Sequence, residues 1–193
     1  WLLEDVKKSP KPRLKILDIG TGSGCIAIAL KKSLGDRASM YALDISPEAL
    51  ELADENASLH NVEIEYFHHD ILTQDLGSHR MFDIIVSNPP YISRNLLDHR
   101  LLEGLSFEPE SALFARGSNP DIFYETMSRS LQDHLLPGGL CFFEINEFRA
   151  EEIMDGFRTQ GWQKLELRKD MQGLDRMLKV SLDEAAPFDR LVS

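Results

Sequence analysis

The chain has 193 residues, 42% hydrophobic and 27% charged, with a formal net charge of −11. That length and balance fit one globular domain with a sizeable core, and the acidic excess argues against a broad electrostatic footprint for nucleic acid. No apolar run approaches the roughly 20 residues that span a bilayer, and the first residues lack the pattern of a secretory signal. The two cysteines, Cys25 and Cys141, lie far apart in apolar segments. Two lone thiols make neither a disulfide framework nor a metal site, so a reducing, cytoplasmic setting is expected.

Residues 1–13 read as the end of an interdomain helix followed by a linker through Pro10 and Pro12. The start at Trp1 rather than Met points to a missing N-terminal portion. The basic cluster of Lys7, Lys8, Lys11, Arg13 and Lys15 reads as a solvated approach to the first strand. That strand, residues 14–19, runs straight into Gly20-Thr21-Gly22-Ser23-Gly24, and an apolar helix follows from Cys25 to Gly35. Strand, glycine-rich turn and helix form the first half of a nucleotide-binding unit: glycines let the backbone approach a ligand, and the helix start offers free N–H groups.

Residues 39–44 form a second strand ending in Asp44, about 20 residues past the glycines, where a carboxylate can accept both hydroxyls of a ribose. Ser46-Pro47-Glu48 is a strong helix start, and His60-Asn61 closes that helix. A third strand over 63–68 leads into His69-Asp70-Ile71. Adjacent strand residues face opposite ways, so His68 and His69 cannot easily share a metal. Asp70 fits instead as an acceptor for an adenine amino group, with Ile71 packing on the ring. His60, His79, His99 and His134 are isolated and read as surface residues.

After a polar connection over 72–81, the apolar run from Asp83 stops at Asn88-Pro89-Pro90-Tyr91. Proline cannot donate to a sheet ladder and pushes its predecessor into extended geometry. Asn88 therefore points out of the strand's carboxyl end, the side on which open α/β sheets bind ligands. The Asn88 side-chain carbonyl and the Pro89 and Pro90 backbone, which has carbonyls but no N–H, make an acceptor-rich corner for a planar NH2 group, with Tyr91 packing on its π face.

Residues 92–118 lack periodicity and read as an insertion covering a site. Residues 120–136 are helical in pattern, and Leu136-Pro137-Gly138-Gly139 turns into a fifth strand over 140–145. A helix over 148–157 and two closing strands, 162–168 and 176–182, follow, before a tail over 186–193. Glu144, at a strand end, reads equally as a functional or a structural carboxylate.

A Gly-x-Gly-x-Gly turn alone is weak, and Cys25 occupies the place after Gly24 rather than a dinucleotide-type glycine. Taken with Asp44 and the Asn88 corner, it fits S-adenosyl-L-methionine, which carries ribose and adenine but no phosphates. These residues resemble the HemK/PrmC-type glutamine methyltransferases that modify peptide chain release factors. The resemblance rests on Leu17-Asp18-Ile19-Gly20-Thr21-Gly22-Ser23-Gly24, Ala42-Leu43-Asp44-Ile45-Ser46 and Asn88-Pro89-Pro90-Tyr91-Ile92. Phe107-Glu108-Pro109 with Ala112-Leu113, Gly138-Gly139 before Glu144-Ile145, and Asp170-x-x-Gly173-x-Asp175-Arg176 narrow it further. The family follows Glu-Ile with Gly and then Gln, where this chain reads Asn146-Glu147-Phe148.

The resemblance implies a class I S-adenosylmethionine-dependent, Rossmann-like fold over 14–185, with a seven-stranded, mostly parallel sheet whose last strand is antiparallel. It also implies an N-terminal helical domain that grips the release factor and is absent from this chain. Catalysis is expected from Asn88, Pro89, Pro90 and Tyr91. Cofactor binding is expected from Gly20, Thr21, Gly22, Ser23, Gly24, Asp44, Asp70, Ile71 and Asn88, with no metal. The implied activity is methylation of a glutamine amide nitrogen in translation termination, without a membrane or direct nucleic-acid partner. An amino methyltransferase acting on adenine or guanine in RNA or DNA is the alternative, and a non-catalytic cofactor-binding subunit the second.

Overall fold

The computed structural model describes residues 1–77, 80–90 and 119–182. The strands are β1 (Leu14–Ile19), β2 (Ala38–Asp44), β3 (Glu65–His68), β4 (Phe82–Ser87), β5 (Leu135–Glu144), β6 (Lys164–Lys169) and β7 (Asp175–Ser181). They form a seven-stranded sheet in the order β3-β2-β1-β4-β5-β7-β6. The first five pair in parallel, and β7 runs antiparallel to both β5 and β6, as the family resemblance implies. The helices are α1 (Leu2–Lys8), α2 (Cys25–Leu34), α3 (Pro47–Leu59), α4 (Ile122–Ser130) and α5 (Ala150–Thr159). None of the described helices is long and apolar enough to cross a membrane.

Both faces of the sheet are buried, and neighbouring residues of one strand enter different cores. Ile16, Met40, Ile84 and Phe142 pack with Val6 of α1 and with Ala27 and Leu30 of α2. Leu17, Leu43, Ile85 and Phe143 pack with Tyr124 and Met127 of α4 and Phe157 of α5. That double coverage explains why β1 and β4 read as nearly continuous apolar runs rather than alternating ones.

Turn chemistry sets several boundaries. The Ser46 hydroxyl accepts the Ala49 N–H at 3.1 Å, capping α3 ahead of Pro47. At its far end, Asn61 adopts a left-handed φ of 54°, which asparagine tolerates. The helix expected over 120–136 is shorter than its pattern. It ends at Ser130 and tightens into a 3-10 turn, Leu131–His134, before Leu135 joins the sheet opposite Phe82. Leu135 is buried in the core, so burial beside β4 outweighs helical periodicity. The next pair in register is Ile84 with Leu140, and the residues between, with Pro137 and Gly138, depart from the ladder.

His134 corrects the surface reading. It is 3% exposed, and its ring nitrogens lie 3.1 Å from the Arg80 carbonyl and 3.2 Å from Asp75 Oδ1. The imidazole ties the approach to β4 onto the start of β5.

The amino-terminal helix packs as part of the fold. Trp1 meets Phe142 edge to face, and Lys179 pairs with Asp5 at 3.1 Å and with Glu166 at 2.7 Å. Nearby, the buried carboxylate of Asp83 pairs with Lys11 at 2.5 Å and accepts the Lys15 N–H at 2.8 Å. Lys11 is thus a partner for the sheet rather than a purely solvated charge. Asp83→Ala strands that amide and releases the cation, a loss of about 2 kcal/mol. Thermal denaturation is expected to show a midpoint lower by about 6 °C, and an unchanged midpoint would contradict the assignment.

Candidate active site

The carboxyl ends of β1, β2, β3 and β4 finish level. In register, Ile19 lies between Leu43 and Ser87, and Asp44 lies beside His68. One residue beyond these pairs come Gly20, the Asp44 turn and Asn88, in a row across the sheet edge.

The loop after β1 is folded by its own backbone. The N–H groups of Gly20 and Thr21 both donate to the Leu43 carbonyl, at 2.9 and 3.0 Å, and Gly24 N–H donates to the Thr21 carbonyl at 2.9 Å. Gly20, Gly22 and Gly24 all have positive φ, at 71°, 54° and 82°. A Cβ on Gly20 or Gly22 would meet nothing within 4 Å, so the backbone there borders open space. Gly24 differs: its Cβ would lie 3.1 Å from the Ala53 side chain, so α2 and α3 approach closely at that point. Ser23 serves through its carbonyl, which accepts the Asn56 side-chain amide at 3.0 Å.

Asp44 is half-buried and fixed from both sides. One carboxylate oxygen accepts the Gly22 N–H at 2.9 Å and the other the Ser46 N–H at 3.0 Å. A carboxylate oxygen has roughly two acceptor positions, so each retains capacity for a further donor. The following residue, Ile45, is 37% exposed, and His68 Nε2 holds its carbonyl at 2.9 Å. The sequence reading passed over Ile45, although an apolar residue directly after the strand-end acid was visible there.

Asp70 shapes the turn after β3, with Oδ1 accepting the Leu72 N–H at 3.1 Å. Ile71 is buried in the core beneath this turn. Asn88 is exposed at the end of β4, Pro89 is buried and Pro90 half-buried, so the corner rests on a packed ring. The Ser87 hydroxyl donates to the Ile19 carbonyl at 2.8 Å, tying this corner to the glycine loop. Tyr91 lies outside the described residues, as do Phe107-Glu108-Pro109 and Ala112-Leu113. Glu144 is half-buried at the end of β5, where its carbonyl accepts the Tyr124 hydroxyl at 2.8 Å.

Asp18 is the residue whose weight sequence reasoning missed. It is 1% exposed on the α2 side of β1, and Oδ2 accepts the Thr21 hydroxyl at 2.7 Å. Among the described residues Oδ1 has no hydrogen-bond partner. Burial pushes the carboxyl up to about 6, against the Thr21 hydroxyl and the Ala27 backbone, which favour the charge, while Asp44 opposes it. Thr21 thus acts as an anchor between the loop and this buried acid.

A level strand edge carrying an open glycine turn, a strand-end carboxylate and an exposed amide corner defines a class I, Rossmann-like methyltransferase domain. The description "Methyltransferase small domain" matches residues 1–119, and the chain belongs to that family. It is 42% identical over 94% of its length to a release factor glutamine methyltransferase of Flavobacterium psychrophilum, covering 63% of that protein. It is 38% identical over 90% of its length to the protein of the same name in Bacteroides thetaiotaomicron, covering 62% of it. The chain thus spans about three-fifths of these relatives. Among solved structures, a methyltransferase from Pyrococcus furiosus superposes with a TM-score of 0.66 at 18% identity, over 94% of this chain and 81% of that one. At that identity the likeness is one of fold.

The raised Asp18 carboxyl gives a signed pH effect. Its folded value, about 6, lies above the ordinary 3.8, so the folded state holds more protons in between. Its contribution to stability is full below pH 4 and fades as pH rises through 6. Against Asp18→Asn, the wild type is expected to lose roughly 3 kcal/mol of relative stability between those limits, read from urea midpoints at each pH. A pH-independent gap between the two proteins would overturn the burial of an ionisable carboxyl.

Proposed function

We propose that the protein transfers a methyl group from S-adenosyl-L-methionine to the side-chain amide nitrogen of a glutamine in peptide chain release factors. The observation that carries this reading is the alignment, along one sheet edge, of the open glycine loop, the doubly held Asp44 carboxylate and the exposed acceptor corner at Asn88. The names of the relatives at 42% and 38% identity support the substrate. Release factors act in the cytoplasm, and the acidic chain, at −11, suits a protein substrate better than a nucleic acid.

The residues fit the cofactor. Gly20 and Gly22 leave room for a ligand against the backbone. The remaining acceptor positions of Asp44 suit the two ribose hydroxyls, and Ile45 offers an apolar surface to a flat base beside Asp70 and Ile71. The unfilled Asp18 Oδ1 suits an ammonium group. Bound there, S-adenosyl-L-methionine supplies an electrophilic methyl group on a sulfonium.

An amide nitrogen is a poor nucleophile because its lone pair is delocalised into the carbonyl, so the protein's contribution is positioning. The Asn88 side-chain oxygen and the Pro89 carbonyl accept the two hydrogens of the substrate NH2. This fixes the plane of the amide and stabilises positive charge as it develops on nitrogen. We assign Tyr91, which follows Pro90 in the chain, to the π face of that amide. The buried Pro89 ring and the Ser87–Ile19 hydrogen bond fix the backbone from which both acceptors project. The surplus proton passes to solvent after transfer, so no strong base is required.

Two substitutions separate the roles. Asn88→Ala is expected to lower kcat by about 10²–10³-fold with cofactor affinity largely retained. Asp44→Ala is expected to weaken cofactor binding by about 10–100-fold, measured by isothermal titration. Exchange of these two phenotypes would refute the assignment. The substrate is tested with tritiated S-adenosyl-L-methionine and a mixture of release factors, RNA and DNA. Label that survives nuclease, is lost to protease and maps to a glutamine carries the proposal. Nuclease-sensitive label would make the corner a base pocket, and cofactor binding without any label would mark a non-catalytic subunit.

A further inference from the structure

Two short segments on the site edge present apolar side chains to solvent although both are rigidly built. In the turn after β5, Phe148 is 84% exposed, and its N–H is held by Asn146 Oδ1 at 2.9 Å. In the β6–β7 turn, Met171 is fully exposed and Leu174 is 38% exposed. Asp170 organises that turn: its Oδ1 accepts the N–H groups of Gln172 and Leu174 at 2.8 and 3.0 Å, and its own N–H donates to the Leu174 carbonyl at 2.9 Å. Arg176 joins the segments, pairing with Glu147 at 2.8 Å and with Asp170 at 3.4 Å. Backbone pairing continues underneath, with Ile145 N–H donating to the Arg176 carbonyl at 2.9 Å.

We infer that Phe148, Met171 and Leu174 form an apolar ledge that docks the extended polypeptide flanking the methylated glutamine. The inference rests on the proposed protein substrate. Ser87 lies opposite Phe143, and Glu144 opposite Met177, so Asn88 sits two strand spacings from the start of β7. That is about 10 Å, a span that about three residues of extended chain cover. A side chain three or four residues from the glutamine therefore reaches the base of the β6–β7 turn, from which the ledge projects, while the amide occupies the Asn88 corner.

The chemistry favours a polypeptide over other occupants. Glu147 and Asp170 are both engaged by Arg176, and Lys169 by Asp175, so these charges are paired within the fold while Phe148, Met171 and Leu174 offer apolar surface. A nucleic acid would need cations for its phosphates, and a bilayer surface would meet a chain of net charge −11. Exposed Phe and Met contribute little to the fold, whereas a thioether and an aromatic ring adapt well to an apolar partner.

The test uses the intact protein and an unmethylated release factor, comparing wild type with F148S, M171S, the double variant and L59S. Leu59 is the control: it is 78% exposed at the far end of α3, away from the site edge. The double variant is expected to raise KM for the release factor by about tenfold or more. Its kcat at saturation, its affinity for S-adenosylhomocysteine and its melting temperature stay at wild-type values, and L59S matches wild type throughout. A wild-type KM in the double variant overturns the ledge. So does a wild-type dimer that F148S abolishes, because the surface would then be covered by a second copy. Failure of the wild type to methylate the release factor refutes the proposed function itself, and the ledge's occupant with it.

Discussion

Parallel pairing of β1 with β2 and with β4 sets the distances on which the rest depends. Because Ile19 lies between Leu43 and Ser87, the three strands end together. A one-residue slip in either pairing would turn every side chain of the slipped strand to the other face. Asp18 and Leu17 would exchange cores, and the Gly20 and Thr21 amides would lose the Leu43 carbonyl that closes their turn. The loop is therefore a consequence of register as much as of its glycines.

On that edge the acids do different work. Asp44 is held in place by two backbone amides while keeping acceptor capacity toward the open side. Asp18 sits under the loop, fully buried, with a hydroxyl on one oxygen and none of the described groups on the other. A buried carboxyl in this condition costs the fold stability near neutral pH. That cost sits where the same carboxyl anchors Thr21 beneath the glycine loop. The corner at Asn88 follows the opposite rule: its side chain is free in solvent, and rigidity comes from Pro89 packed below it and Ser87 tied to β1.

The other end of the same edge is organised by Arg176, which bridges the turn after β5 and the β6–β7 turn through Glu147 and Asp170. The Asp170-x-x-Gly173-x-Asp175-Arg176 element is thus an architectural unit, in which one carboxylate folds its own turn and one guanidinium fixes that turn to its neighbour. Much of the fold was legible in advance because β1, β2 and β4 end in local signals: glycines, a strand-end acid with a capping serine, and prolines. The segment from Ser130 to Leu140 was not. Its helical periodicity competes with burial of Leu135 beside Phe82, and such a competition is decided by a partner far away in the chain. His134 was misread for the same reason, since its carbonyl and carboxylate partners, Arg80 and Asp75, lie more than 50 residues before it.

The sequence by itself determined the parts whose causes are local. Prolines without an N–H stop β4 at Ser87, just before Asn88, Ser46 caps α3, and glycines permit the positive φ of the turn after β1. Motif order along the chain was enough to indicate a Rossmann-like sheet and the residues at its edge. Only the tertiary structure decided what depends on partners distant in the chain. It buried Asp18 with one oxygen unmatched, brought the Gly22 amide to Asp44, sank Ile71 while leaving Ile45 exposed, and brought Phe148 and Met171 to one edge through Arg176. Burial, electrostatic environment and proximity are properties of the packed sheet, and they appear only once the strand register has placed remote residues side by side.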